Sequence, residues 1–108
     1  LVFITNDKYL LENRKTVKEF VLAIKEAIEL TKKHPYEALT AYFTANPNVR
    51  KDLDLLAFTA TLPMFAKSQQ QSQEKWEKFT AFGFNNKLIT RKIEAADLFD
   101  NVLVGEGN

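Results

Sequence analysis

A chain of 108 residues is the length of one domain with room for one modest core. Apolar residues at 45% and charged residues at 27%, with three Gly and three Pro, exclude a disordered tract and a turn-rich all-β fold. Fifteen basic against 14 acidic side chains give a net charge of +1, which removes the electrostatic basis for binding nucleic acid or an anionic membrane, and the lack of Cys excludes disulfides and thiolate chemistry.

The chain opens on Leu1-Val2-Phe3-Ile4-Thr5, a strand-prone run that predicts a strand over 1–5 and calls for a neighbouring strand that nothing later supplies. There is no initiator Met and no basic leader with a cleavage site, which predicts a piece of a longer protein. No apolar stretch approaches the roughly 20 residues that span a bilayer. Asn6-Asp7 reads as a turn or cap before a short helical turn through Lys8-Tyr9-Leu10-Leu11.

The clearest element follows, a helix over about 15–33. Val17, Phe20, Val21, Ile24, Ala27, Ile28 and Thr31 recur at helical spacing, with Lys18, Lys25, Glu26, Glu29 and Lys32 off the stripe. Thr16 and Glu19 fit a capping box, and Asn13 is an equally good N-cap one turn earlier. His34-Pro35 ends the helix, because the residue before Pro resists the α conformation. A helix over 36–45 starts from Pro35 and puts Ala38, Leu39, Tyr42 and Phe43 on one side, until Asn46-Pro47-Asn48 stops it. The next, over 49–62, carries Val49, Leu53, Leu56, Ala57 and Ala60 on one face and Leu55, Phe58 and Leu62 in a second row. Two apolar rows predict burial on more than one side, and Pro63 ends or kinks the helix.

Lys67 to Gln73 reads as a solvated loop. Ser72 then caps a helix over 73–84 in which Trp76, Phe79 and Phe82 lie about three residues apart, and Asn85-Asn86 offers a stop compatible with left-handed backbone. The remainder, 88–108, reads as an extended connector, a short helical turn near Ala95 to Phe99, and a loose tail ending Gly105-Glu106-Gly107-Asn108. No solenoid repeat is present. The fold class is therefore mostly α, about four helices plus an N-terminal strand.

Chemistry-bearing residues are few, and each has a structural reading that outweighs the functional one. His34 stands alone beside a Pro at a helix end, whereas a working His needs an orienting partner and a zinc site needs further ligands. Asp52 and Asp54 diverge around a helix; Asp97 and Asp100 could share a face but read as caps or exposed charges. Trp76, Phe79, Phe82 and Phe84 form an aromatic cluster that could stack a flat ligand but at helical spacing is core, as are Tyr42 and Phe43. Gly83, Gly105 and Gly107 make no phosphate loop, and no Ser sits in a nucleophile elbow. The amphipathic helix from Thr16 to Lys33 mixes acids and bases on its polar face, which favours packing within a domain over a membrane surface. No catalytic, cofactor-binding or metal residue is expected from these patterns.

Three stretches taken together carry a resemblance. They are "LVFITNDKYLLENRKTVKEFVLAIKEAIELTKKHPYEAL", "ANPNVRKDLDLLAFTATLPMF" and "WEKFTAFGFNNKLITRKIEAADLFDN". In order and spacing they resemble thiamine-pyrimidine-precursor binding proteins, bacterial relatives of the fungal hydroxymethylpyrimidine synthase. Arg14 departs from the family's usual Pro after "EN", and Asn86-Lys87 precedes "LI" where a Gly is common.

The resemblance implies a two-lobed α/β protein of the type II periplasmic-binding fold, with a ligand cleft between the lobes and this chain as its C-terminal part. The strands missing here and most ligand contacts would then lie upstream of Leu1, and Trp76 would be a helix-packing residue. The function implied is delivery of a pyrimidine precursor to the membrane subunits of an ABC importer, in the periplasm or another extracytoplasmic place, without cofactor or catalysis. One alternative is a pyrimidine-synthesising enzyme of the fungal type, implied to rely on a His and a Cys-rich motif that these residues do not provide. Another is a self-contained helical interaction module, with homodimerisation through the exposed apolar start.

Overall fold

The computed structural model describes residues 2–104. Among them are five α-helices: α1 (Asp7–Glu12), α2 (Arg14–Lys33), α3 (Pro35–Ala45), α4 (Lys51–Thr61) and α5 (Gln73–Asn85). Single 3-10 turns follow at Leu62–Met64 and Ala95–Asp97. The mostly helical expectation holds. The strand over 1–5 does not: residues 2–5 form no regular element, and Ile4 is 90% exposed. Strand-prone side chains make a strand only where a second strand takes up the main-chain N–H and C=O groups, and no described segment does so. Leu1 and the tail glycines Gly105 and Gly107 lie outside the described residues.

Two compact units share the chain, one running Lys15–Lys67 and the other joining the segment up to Arg14 to the segment from Ser68 onward. In the Lys15–Lys67 unit, α2 turns Val17, Val21, Ile24, Ile28 and Thr31 to its half-buried side, a spacing of alternating four and three residues. Phe20 and Ala27, expected on the same stripe, sit on its exposed margin. Thr16 lies inside the helix, so the capping box does not form. The helix starts directly after Asn13, whose side-chain Nδ2 instead donates to the Tyr9 carbonyl at 3.2 Å and closes α1. Arg14 is thus the first residue of α2, the position Pro tolerates best, so its departure from the family pattern leaves the helix boundary intact.

His34 joins two helices. Its N–H donates to the Leu30 carbonyl at 2.8 Å, ending α2, and its own carbonyl accepts from Ala38 N–H at 3.0 Å, beginning α3. On α3, Leu39 is the buried side chain of this unit among the described residues, flanked by half-buried Ala38 and Phe43. The α4 helix begins two residues later than its apolar pattern predicts, because Asn46–Val49 closes a turn through Val49 N–H to the Asn46 carbonyl at 3.4 Å. Asp52 and Asp54 occupy its first turn, where the exposed N–H dipoles favour negative charge.

The expectation that α4 is buried on more than one side is corrected. Its half-buried residues are Asp54 and Phe58, continued by Leu62 in the 3-10 turn, while Leu53, Leu55 and Leu56 are exposed, Leu56 at 68%. Two apolar rows specify two contacts, and the described residues of this unit provide only one. Pro63 ends the α-helix at Thr61 and leaves the 3-10 turn, after which Ala66 accepts a 2.8 Å bond from Lys32 Nζ at the end of α2.

In the other unit α5 ends in a Schellman arrangement. Leu88 N–H reaches back to the Gly83 carbonyl at 2.8 Å and Lys87 N–H to the Phe84 carbonyl at 3.0 Å. That closure requires a left-handed residue, and it is Lys87, at φ 57°, rather than Asn85 or Asn86. Asn86 keeps a φ of −92° and uses its side chain to cap the Phe82 carbonyl at 2.8 Å. Lys87 is one of the two residues standing where the related pattern has Gly, and the structure gives the reason a Gly suits it. A side chain in the left-handed region costs roughly 1–2 kcal/mol, partly offset by the extra unfolded-state entropy of Gly. Lys87→Gly is therefore expected to stabilise the chain by about 0.5–1 kcal/mol, read as an upward shift of the urea midpoint at unchanged slope.

Candidate functional site

The most organised side-chain cluster lies at the start of α5. Ser72 is its N-cap, with Oγ accepting from Lys75 N–H at 3.3 Å, and this fixes Trp76 one turn into the helix. The indole is stacked on Phe99 at 6.4 Å between ring centroids and 12° between planes, and meets Phe79 edge-on at 5.7 Å and 87°. Its Nε1–H donates to Gln71 Oε1 at 3.1 Å. Asn101 then presents its amide to the Gln71 backbone as a neighbouring strand would. Oδ1 accepts from Gln71 N–H at 2.7 Å and Nδ2 donates to the Gln71 carbonyl at 2.9 Å.

Every polar group named in this cluster has a partner inside it, and the Phe99 ring lies nearly parallel to the indole. The arrangement therefore locks the segment around Phe99 and Asn101 onto α5, while the Phe79 ring stays 65% exposed. The four-aromatic cluster expected from helical spacing is corrected accordingly. Phe82 and Phe84 make no ring contact with it and are exposed at 59% and 44%. Phe99 and Asn101 take their places. Both come from irregular backbone after the 3-10 turn and have no periodicity that could announce them, although both stand in the "LFDN" ending that carries the family resemblance.

The other candidates remain apart. His34 Nδ1 is 3.4 Å from Glu37 Oε1 on exposed surface. Asp52 faces Arg50 at 3.5 Å, and Asp54 accepts from Tyr42 O–H at 2.7 Å, so the two carboxylates diverge as their spacing requires. Asp100 is spent on a local turn, Oδ1 accepting from Val102 N–H at 2.6 Å, and Asp97 sits in the 3-10 turn before it. Among the described residues no group of His, Cys, Asp and Glu could hold a metal ion. None of their helices is long and apolar enough to cross a membrane. Gly83 is inside α5, where a Cβ would meet Ile89 Cδ1 at an ordinary 3.6 Å.

One shallow open hollow runs along α3, lined by Tyr36, Glu37, Thr40, Ala41, Thr44 and Ala45. It offers little to hold a polar ligand. The Thr40 and Thr44 hydroxyls donate back to the Tyr36 and Thr40 carbonyls, each at 2.8 Å.

Tyr42, expected in the core, is at the α3–α4 edge and 42% exposed. Its hydrogen bond to Asp54, more than slight desolvation and the carboxylate's charge, holds its hydroxyl above the usual tyrosine pKa. The folded chain keeps this proton longer than the unfolded chain. The bond's contribution is thus complete below the ordinary tyrosine pKa and lost as pH rises through the higher folded value. Asp54→Asn is expected to move one tyrosinate transition to lower pH in an ultraviolet titration, and Tyr42→Phe to remove that transition.

Comparison with known proteins places the chain in context. Residues 1–38 match the family described as "NMT1/THI5 like". Over 83 residues, 77% of this chain and 24% of the relative, it is 32% identical to 4-amino-5-hydroxymethyl-2-methylpyrimidine phosphate synthase of Candida albicans (strain WO-1). Identity is 28% over the same shares with the Saccharomyces cerevisiae protein of that description designated THI5. With the Legionella pneumophila protein of that description it is 26% over 91 residues, 84% of this chain and 29% of the relative. The chain spans about a quarter of the length of the curated relatives it matches. No solved structure matches it.

Proposed function

Because the chain is related to the NMT1/THI5-like family, we propose that it is a helical scaffold segment of a protein handling the pyrimidine precursor of thiamine, with the synthase chemistry named for its relatives as the activity it serves. The observation that carries this reading is identity to such synthases across 77% of the chain. The geometry agrees with a supporting part. Among the described residues no group of titratable side chains could hold a metal ion, the polar groups of the Trp76 cluster are paired within it, and α4 carries an exposed apolar row of Leu53 and Leu56. In this role the chain forms the C-terminal part of a two-lobed protein, and its remaining lobes supply the cover and the ligand contacts.

The test is an exchange. The matched 83-residue stretch of the Candida albicans synthase is replaced by its counterpart here, and the chimera is assayed for growth of a yeast strain that requires the pyrimidine. Growth is expected; a soluble, stably accumulating chimera that gives none overturns the reading.

The importer reading, with ABC membrane subunits as partners and a periplasmic or other extracytoplasmic location, rests on the order of the three sequence stretches. The relatives' names favour synthesis over it. It predicts saturable uptake of the pyrimidine by cells carrying the full-length protein, without synthesis.

A further inference from the structure

We draw no further inference here: the strongest candidate, the exposed apolar row of Leu53 and Leu56 on α4 in the Lys15–Lys67 unit, carries nothing beyond the scaffold reading because nothing in the structure shows what covers it.

Discussion

Asn101→Ala is expected to destabilise the chain by about 1–3 kcal/mol, the range for leaving part-buried polar groups without partners. The substitution removes two bonds at once, one to each main-chain group of Gln71, and no other bond to Gln71 N–H or its carbonyl is formed by the described residues. Solvent reaches the site in part, which places the effect toward the lower half of that range. Asn101→Asp keeps an acceptor for Gln71 N–H but sets a carboxylate oxygen against the Gln71 carbonyl, so its cost is expected to be at least that of Asn101→Ala. Urea unfolding followed by the fluorescence of Trp76, the chain's single tryptophan, gives the order. If Asn101→Ala unfolds at the wild-type midpoint, the Gln71 contact contributes nothing and the cluster is not a lock.

Trp76→Ala is expected to cost more, about 2–4 kcal/mol. A fully buried Trp truncated to Ala costs roughly 3–5 kcal/mol, and this indole is half-buried. Trp76→Phe keeps a ring against Phe99 and Phe79 but loses the Nε1–H bond to Gln71 Oε1, and should cost about 1 kcal/mol for that bond together with a smaller ring. Far-ultraviolet circular dichroism follows these variants, since the fluorophore is gone. Trp76 and Asn101 both act on Gln71, one through its side chain and one through its backbone. The double variant of Trp76→Phe and Asn101→Ala should therefore depart from additivity by at least about 0.5 kcal/mol. Additive losses would mean that two independent contacts, rather than one connected network, hold Phe99 and Asn101 to α5.

The residues that could be read in advance are those governed by local periodicity. The half-buried row of α2, the Pro35 start of α3, the Ser72 cap of α5 and the 3-10 turn at Ala95 all follow from spacing and capping within one or two turns. What escaped depends on groups distant in sequence. A strand over 1–5 was legible as propensity, but a strand is a relation between two segments, and the second is not among the described residues. The faces of α4 were legible as apolar rows, whereas which row is covered depends on α3 and the rest of its unit. Asn101 and Gln71 stand 30 residues apart, beyond any periodic signal. Lys87 shows the opposite case: the missing Gly was visible as a departure from the family pattern, and only the backbone showed that position 87 is the left-handed one.

The separation of the carboxylate pairs also followed from local spacing. Asp52 and Asp54 had to diverge on a helix, and Asp100 is used in a turn two residues on, with Asp97 in the 3-10 turn before it. Sequence reasoning placed Trp76 and Phe79 together on α5 but not the near-parallel Phe99 ring, which comes from 23 residues further along the chain.

The proposed role is that these residues support a pyrimidine-handling protein without holding the pyrimidine themselves. Isothermal titration of the chain with 4-amino-5-hydroxymethyl-2-methylpyrimidine and its phosphate tests this most directly. No saturable heat is expected up to millimolar ligand, and micromolar saturable binding by the chain alone would contradict the account.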